Sequence, residues 1–284
     1  MNKISRIAFN RCSPFLPVSL REKWRRQVFL KDLRNSDVFL VGHPKSGNTW
    51  LAYAIAMLLN KDQAERIHLS NLKQFVPTVH GRDYAIANFN TLHNPRVFRN
   101  EQPRYPDDYP KVIYLVRDPR AVLVSYYHHY LVFCQEEPKT LQEFVQEYVS
   151  NGHVVDFEPD ILEWDAQVRA WIRRAKRQPV LTVTYEAMRN DLRSVLVEVG
   201  RFIGFRLESS DIDTAVLRSG FESMKQDEAE YGSEAYADIL APKERFIRIG
   251  KAEGWKSELE RESIARIEKK YGDVMKHFNY VTAL

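Results

Sequence analysis

Three short apolar runs constrain this chain more than any other feature. They are "DVFLVG" (37–42), "KVIYLVR" (111–117) and "VLTVTY" (180–185), each rich in β-branched or aromatic residues and none in strict alternation. Strands covered on both faces read this way, whereas half-exposed strands alternate. Stretches of helical length and spacing lie between and after them, at 48–59, 121–133, 140–150, 160–177, 191–203 and 262–278. Parallel strands cannot be joined by tight turns and need crossovers of this kind. The pattern predicts an α/β fold: a single domain with a mostly parallel central sheet flanked by helices.

The segments 94–110 ("NPRVFRNEQPRYPDDYP") and 226–246 are rich in proline or charge and read as long surface loops, of the kind that cover binding sites. With 284 residues, 44% hydrophobic and 28% charged, the chain can bury one large core and is not a disordered one. Cys12 and Cys134 are too few for a disulfide framework and lack metal-ligand spacing, which fits a reducing, cytoplasmic setting. The longest apolar run, Trp50 to Leu59, is about half of what a bilayer crossing needs. Asn10, Arg11, Pro14 and Pro17 interrupt any signal-peptide core.

Charge is unevenly spread. Residues 1–35 hold nine basic groups against Glu22 and Asp32, a net +7 in a chain at +4, which leaves −3 for the remainder. We divide the chain into this basic N-terminal segment (1–35) and a domain (36–284). The segment reads first as a solvated tail with a helix packed on the domain, and second as a peripheral contact for anionic membrane lipid. No nucleic-acid partner is expected.

The first strand leads into "VGHPKSGNTW" (41–50). A nucleoside-triphosphate loop reads G-x-x-x-x-G-K-[ST], with its lysine directly after the second glycine. Gly42, Gly47 and Thr49 keep that frame, but Asn48 takes the lysine's place and Lys45 sits inside the loop. A triphosphate loop uses its lysine on the β- and γ-phosphates beside Mg²⁺. Here no acidic pair follows a strand to hold a metal, and none is expected. Ligands of open α/β sheets bind beyond the carboxyl ends of the strands, and Arg117 and Tyr185 end the second and third runs there.

Three segments in order carry a resemblance. "PKSGNTW" resembles the P-K-S-G-T-T-W loop of the soluble sulfotransferases, "YLVRDPRAVLVSYYHHY" is similar to their 3′-phosphate-binding segment, and "RFIRIGKAEGWKSEL" resembles their R-K-G-x-x-G-D-W-K motif. The match runs loosely from Asp37 to Tyr280. It implies a P-loop NTPase-like sulfotransferase fold. The implied activity is transfer of a sulfuryl group from 3′-phosphoadenosine 5′-phosphosulfate (PAPS) to a hydroxyl or amine acceptor, leaving 3′-phosphoadenosine 5′-phosphate (PAP).

The resemblance also implies residue roles. Lys45 would stabilise the leaving 5′-phosphate, with Ser46, Gly47, Asn48 and Thr49 as donors around it, Asn48 standing for the usual threonine. Trp50 would stack on adenine, and Arg117 and Ser125 would hold the 3′-phosphate. Tyr185, Ser219 and Phe221 fall at adenine-contact positions. Arg248 and Gly250 would close over the 3′-phosphate, with Ile249 replacing the usual lysine between them. A catalytic base near neutral pKa is needed. The family's K-[TS]-H segment points to His93 in "FNTLHNP", ahead of His80 in "VPTVHGRDY", although Thr91 replaces the lysine. Two other functions fit the same residues: a divergent P-loop kinase or NTPase, and a non-catalytic nucleotide-binding adaptor at a membrane surface. The expected acceptor is a small molecule, glycan or glycolipid, with no sequence signature among them.

Overall fold

The computed structural model describes residues 17–79, 89, 92, 94–103, 105–134, 137–155, 157–158, 161–236, 245–248 and 250–280. Among these residues, four strands form one parallel sheet: β1 (Val38–Gly42), β2 (Val97–Asn100), β3 (Lys111–Val116) and β4 (Val180–Thr184), in the order β2–β1–β3–β4. Val41 lies level with Asn100 on one side and Tyr114 on the other. The helices are α1 (Val18–Asp32), α2 (Asn48–Leu59), α3 (Pro119–Phe133), α4 (Leu141–Asn151), α5 (Trp164–Arg174), α6 (Tyr185–Ile203), α7 (Ser209–Arg218), α8 (Phe221–Tyr231) and α9 (Arg261–His277).

Successive strand residues point to opposite faces, so the sheet separates two cores. Phe39, Val41, Val112, Tyr114 and Val116 pack with residues of α3, α4, α5 and α9. Val38, Leu40, Ile113 and Leu115 pack with α2, α6 and α7. The all-apolar character of α2 follows from its place: Leu51 through Leu58 are all buried. A bidentate pair pins the entry to β1, Arg96 Nε and Nη2 donating to Asp37 at 2.8 and 2.5 Å, with both side chains fully buried. The Arg34 N–H also donates to this carboxylate (2.8 Å), so the buried charges are satisfied rather than orphaned.

Part of the basic segment is α1, which docks on the domain. Arg26 forms a two-pronged pair with Asp108 at 2.7 Å, and the Tyr105 hydroxyl donates to Glu22 at 2.8 Å.

Three expectations need correction. The 94–110 segment is not a surface loop: it contains β2, all four residues of which are buried, as is Arg96 just before it. The charged and amide side chains that read as loop are absorbed by specific partners, Arg99 by Glu234 and Asn100 by the Tyr109 hydroxyl (2.9 Å). Helix α8 occupies the start of the supposed 226–246 loop. β4 is an edge strand with Thr182 exposed, not a strand covered on both faces, and it ends one residue early, at Thr184, because Tyr185 opens α6.

Candidate active site

The chain leaves β1 for β2 on one side and then crosses to β3 on the other, so the strand order reverses between β1 and β3. In open parallel sheets the binding crevice opens at that point, beyond the carboxyl ends of the strands. The 43–47 loop and Arg117 both lie there.

The loop is held in an unusual conformation. Lys45 has φ 67° and Gly47 φ 101°, and a Cβ on Gly47 would stand 2.8 Å from the Tyr185 ring. Only glycine meets both demands. His43 anchors the loop from below: its Nδ1 lies 2.9 Å from the Pro44 carbonyl, and its Nε2 lies 2.9 Å from the Tyr148 hydroxyl. Since a carbonyl can only accept, Nδ1 carries the proton and the phenol donates to Nε2. Tyr148 in turn accepts from the Trp164 N–H (3.0 Å). Burial pushes the His43 pKa down to about 4, consistent with this neutral tautomer. After Gly47 the helix α2 begins, and the N–H groups of its first turn have no partners within the helix. Loop and helix start together form an anion cradle.

Cations converge on the cradle. The Arg117 guanidinium donates to the Lys45 carbonyl at 3.0 Å and lies 4.1 Å over the Tyr185 ring, while its Nε is buried and unpartnered. The Lys45 ammonium stands 4.9 Å from the Phe246 ring centroid. Burial lowers its pKa to about 8; Glu101 and Glu158 oppose that shift and Arg117 adds to it. Ser46 Oγ and Asn48 Oδ1 are also buried without partners. A buried donor left open needs an explanation, and for the Arg117 Nε–H a bound phosphate oxygen is one.

An aromatic wall adjoins the cations. The Trp50 indole N–H donates to the Ser219 carbonyl at 2.7 Å, and its ring meets Tyr185 edge-on at 5.5 Å. Phe221, at the start of α8, closes against Gly250, where a Cβ would fall 2.2 Å from its ring and φ is +64°. Arg248 pairs with Glu258 at 3.0 Å, and His128 reaches the same carboxylate at 2.7 Å. Burial works against that charge, but these two partners hold the Glu258 pKa below its ordinary value.

One cavity of about 730 Å³ joins these groups, lined by Lys45, Gly47, Asn48, Thr49 and Trp50 from the loop side. Arg117, Ser125, Tyr185, Phe221, Arg248 and Gly250 line the remainder of the same space. Two sequence-derived positions lie behind it. Ser46 is fully buried with its N–H bonded to the His43 carbonyl (3.1 Å), and Ser219 is fully buried, touching the site through Trp50. His93, His80, Thr91 and Ile249 lie outside the described residues.

The cavity is also lined by His129, and by two groups that sequence reasoning missed, Glu101 and Glu158. Burial raises the Glu158 pKa and lowers that of His129 to about 3. Among the described residues, no three His, Cys, Asp or Glu side chains form a metal-binding group, and no helix is long and apolar enough to cross a membrane.

A parallel sheet with a glycine-bearing loop at its switch point and cations around a nucleotide-sized cavity defines a phosphate-binding α/β protein. The sulfotransferase domain model matches residues 35–279, and the chain belongs to that family. It is 27% identical to 3-beta-hydroxysteroid sulfotransferase of Cavia porcellus, over 92% of this chain and 90% of that protein. It is 26% identical to amine sulfotransferase of Oryctolagus cuniculus, over 87% and 83%. Among solved structures, retinol dehydratase with androsterone and PAP superposes with TM-score 0.65 at 22% identity, covering 88% of this chain and 86% of that one. Mouse sulfotransferase SULT7A1 with PAP gives 0.64 at 20% identity, covering 88% and 89%. At these identities the structural likeness establishes the fold.

Proposed function

We propose that this sulfotransferase moves a sulfuryl group from PAPS to a hydroxyl or amine of a small-molecule acceptor by in-line displacement. The observation that carries the reading is the bond from Arg117 to the Lys45 backbone carbonyl, which ties the cation that follows β3 to the loop that carries the second cation. The donor has two separated phosphates, and the site offers two cationic poles rather than the single β/γ cradle of a triphosphate loop.

In this assignment the first-turn N–H groups of α2 and the Lys45 ammonium hold the 5′-phosphate, with Lys45 placed to neutralise the bridging oxygen as its bond to sulfur breaks. Arg117, Ser125 and Arg248 hold the 3′-phosphate, and Arg117 has a buried Nε to spare for it. Trp50, Tyr185 and Phe221 enclose adenine. The left-handed Gly47 and the open N–H groups of the first turn of α2 fit a cradle shaped for phosphate oxygens. No covalent intermediate is needed: catalysis comes from positioning and from charge fixed at the leaving group. Relatives named for steroid and amine acceptors support a small-molecule acceptor here, in the cytoplasm. Exposed Lys23 and Lys31 on α1 are the side chains we assign to a peripheral membrane contact, to be checked by co-sedimentation with anionic vesicles.

The test is calorimetric titration with PAP, then a screen of alcohols, phenols, amines and sugars with radiolabelled PAPS. Micromolar or tighter PAP binding and transfer to at least one acceptor class are expected. Magnesium-dependent ATP hydrolysis without PAP binding would contradict the proposal.

A further inference from the structure

We infer that Glu101 is the group that takes the proton from the acceptor, an inference resting on the sulfuryl-transfer reading above. Glu101 is the first residue past β2, one step beyond Asn100, which is level with Val41. It therefore emerges beside the loop that carries Lys45, at the carboxyl edge of the sheet. Its position is fixed at both ends: its carbonyl accepts from Gln167 Nε2 (3.2 Å), and its Oε1 accepts from Asn48 Nδ2 (3.0 Å). Asn48 Nδ2 is itself tied to the His43 carbonyl (3.1 Å), so the carboxylate is registered to the phosphate loop. With Oε1 held by Asn48, Oε2 is the oxygen left to face the cavity.

Other proton acceptors in the cavity are less suited. Glu234 is committed to Arg99 and to the Lys73 N–H (2.7 Å). Glu158 Oε2 is buried with no partner, in surroundings that disfavour its charged form. His129 is a weak base, since burial and Lys45 hold its pKa near 3. Among the described residues, Glu101 alone combines a partly exposed carboxylate with a fixed place beside both the loop and Lys45.

The step balances as follows. The acceptor oxygen forms its bond to sulfur while the bond from sulfur to the bridging oxygen breaks. That electron pair stays on the 5′-phosphate oxygen facing Lys45. The hydroxyl proton passes to Glu101 Oε2 and is later released to water. No oxidant, reductant or further co-reactant is involved.

Glu101→Gln keeps the oxygen that Asn48 needs and removes the basicity. The experiment compares sulfation of androsterone, a poorly acidic alcohol, with that of 4-nitrophenol, already largely ionised in mildly alkaline buffer, alongside PAP binding by calorimetry. Loss of a general base is expected to slow androsterone sulfation ~100-fold or more while 4-nitrophenol sulfation stays within about tenfold and PAP affinity within about threefold. A merely structural residue would slow both acceptors equally. Equal losses, no loss, or the selective pattern appearing in His93→Ala instead would overturn the assignment. Should Glu101→Gln fail to fold, Glu101→Asp is read the same way, with the androsterone rate again falling more than the 4-nitrophenol rate. Wild-type protein that neither binds PAP nor sulfates either probe contradicts the donor reading itself, and this inference with it.

Discussion

Arg117 Nη1 donates to the backbone carbonyl of Lys45 across 72 residues of chain, at 3.0 Å. The arginine directly follows β3, the lysine lies in the loop after β1, and the bond ties the two strand ends into one cationic corner. The left-handed backbone at Lys45 is stabilised by this contact from outside the loop, which suits a residue whose placement matters for chemistry.

Arg117→Ala should therefore weaken donor binding more than it slows chemistry. It removes a charge-assisted contact to phosphate, worth roughly 1.5–3 kcal/mol, or about 10–100-fold in affinity. Calorimetry with PAP checks this. Affinity equal to wild type would remove Arg117 from the site.

Gly250→Ala should impair nucleotide binding without unfolding the protein. The added Cβ would lie 2.2 Å from the Phe221 ring in a backbone region that alanine disfavours by roughly 1–2 kcal/mol. PAP affinity is the readout. A variant that binds as wild type would mean that Phe221 and the 245–250 segment do not close on the ligand.

Activity should fall on the alkaline side earlier than an ordinary lysine would allow. Burial brings the Lys45 pKa to about 8, and the protonated form is the one that stabilises the leaving group. In the free protein kcat/KM should decline tenfold per pH unit above that value. The profile of kcat should break at higher pH, because a bound anion favours the charged lysine. A flat kcat/KM profile through this range would contradict the role.

Stability should drop on mild acidification. The folded His43 pKa is near 4 against 6.5 for the free side chain, so between those values the unfolded chain binds a proton that the folded chain refuses. This group's stabilisation is complete above 6.5 and lost as pH falls through 4, by about 3 kcal/mol in all. Urea denaturation of wild type and His43→Gln across this range checks it. The variant should start less stable and show a shallower loss.

The local features were legible in the sequence, and the long-range ones were not. The loop from Val41 to Trp50 and its helix announce themselves because strand, glycine turn and apolar helix are contiguous. Fold class followed from the same alternation of runs. β2 was missed because it is only four residues long and half of it is Arg99, a charged side chain, and Asn100, a type that strands disfavour. Their burial depends on Glu234 and Tyr109, which no local pattern could supply. Glu101 was hidden by the same error, since without β2 nothing places it at the carboxyl edge of the sheet beside the phosphate loop. Glu158 reaches the cavity only through the turn between α4 and α5. The link between Trp50 and Ser219 spans 169 residues and was reachable only through the family resemblance.

The most direct test of the central claim is single-turnover transfer from radiolabelled PAPS by wild type and Lys45→Ala, with PAP affinity measured on the same samples. Removing one preorganised charge at the leaving group should cost about 100–1,000-fold in rate while PAP binding changes far less. A Lys45→Ala protein that transfers sulfate at the wild-type rate would contradict the account.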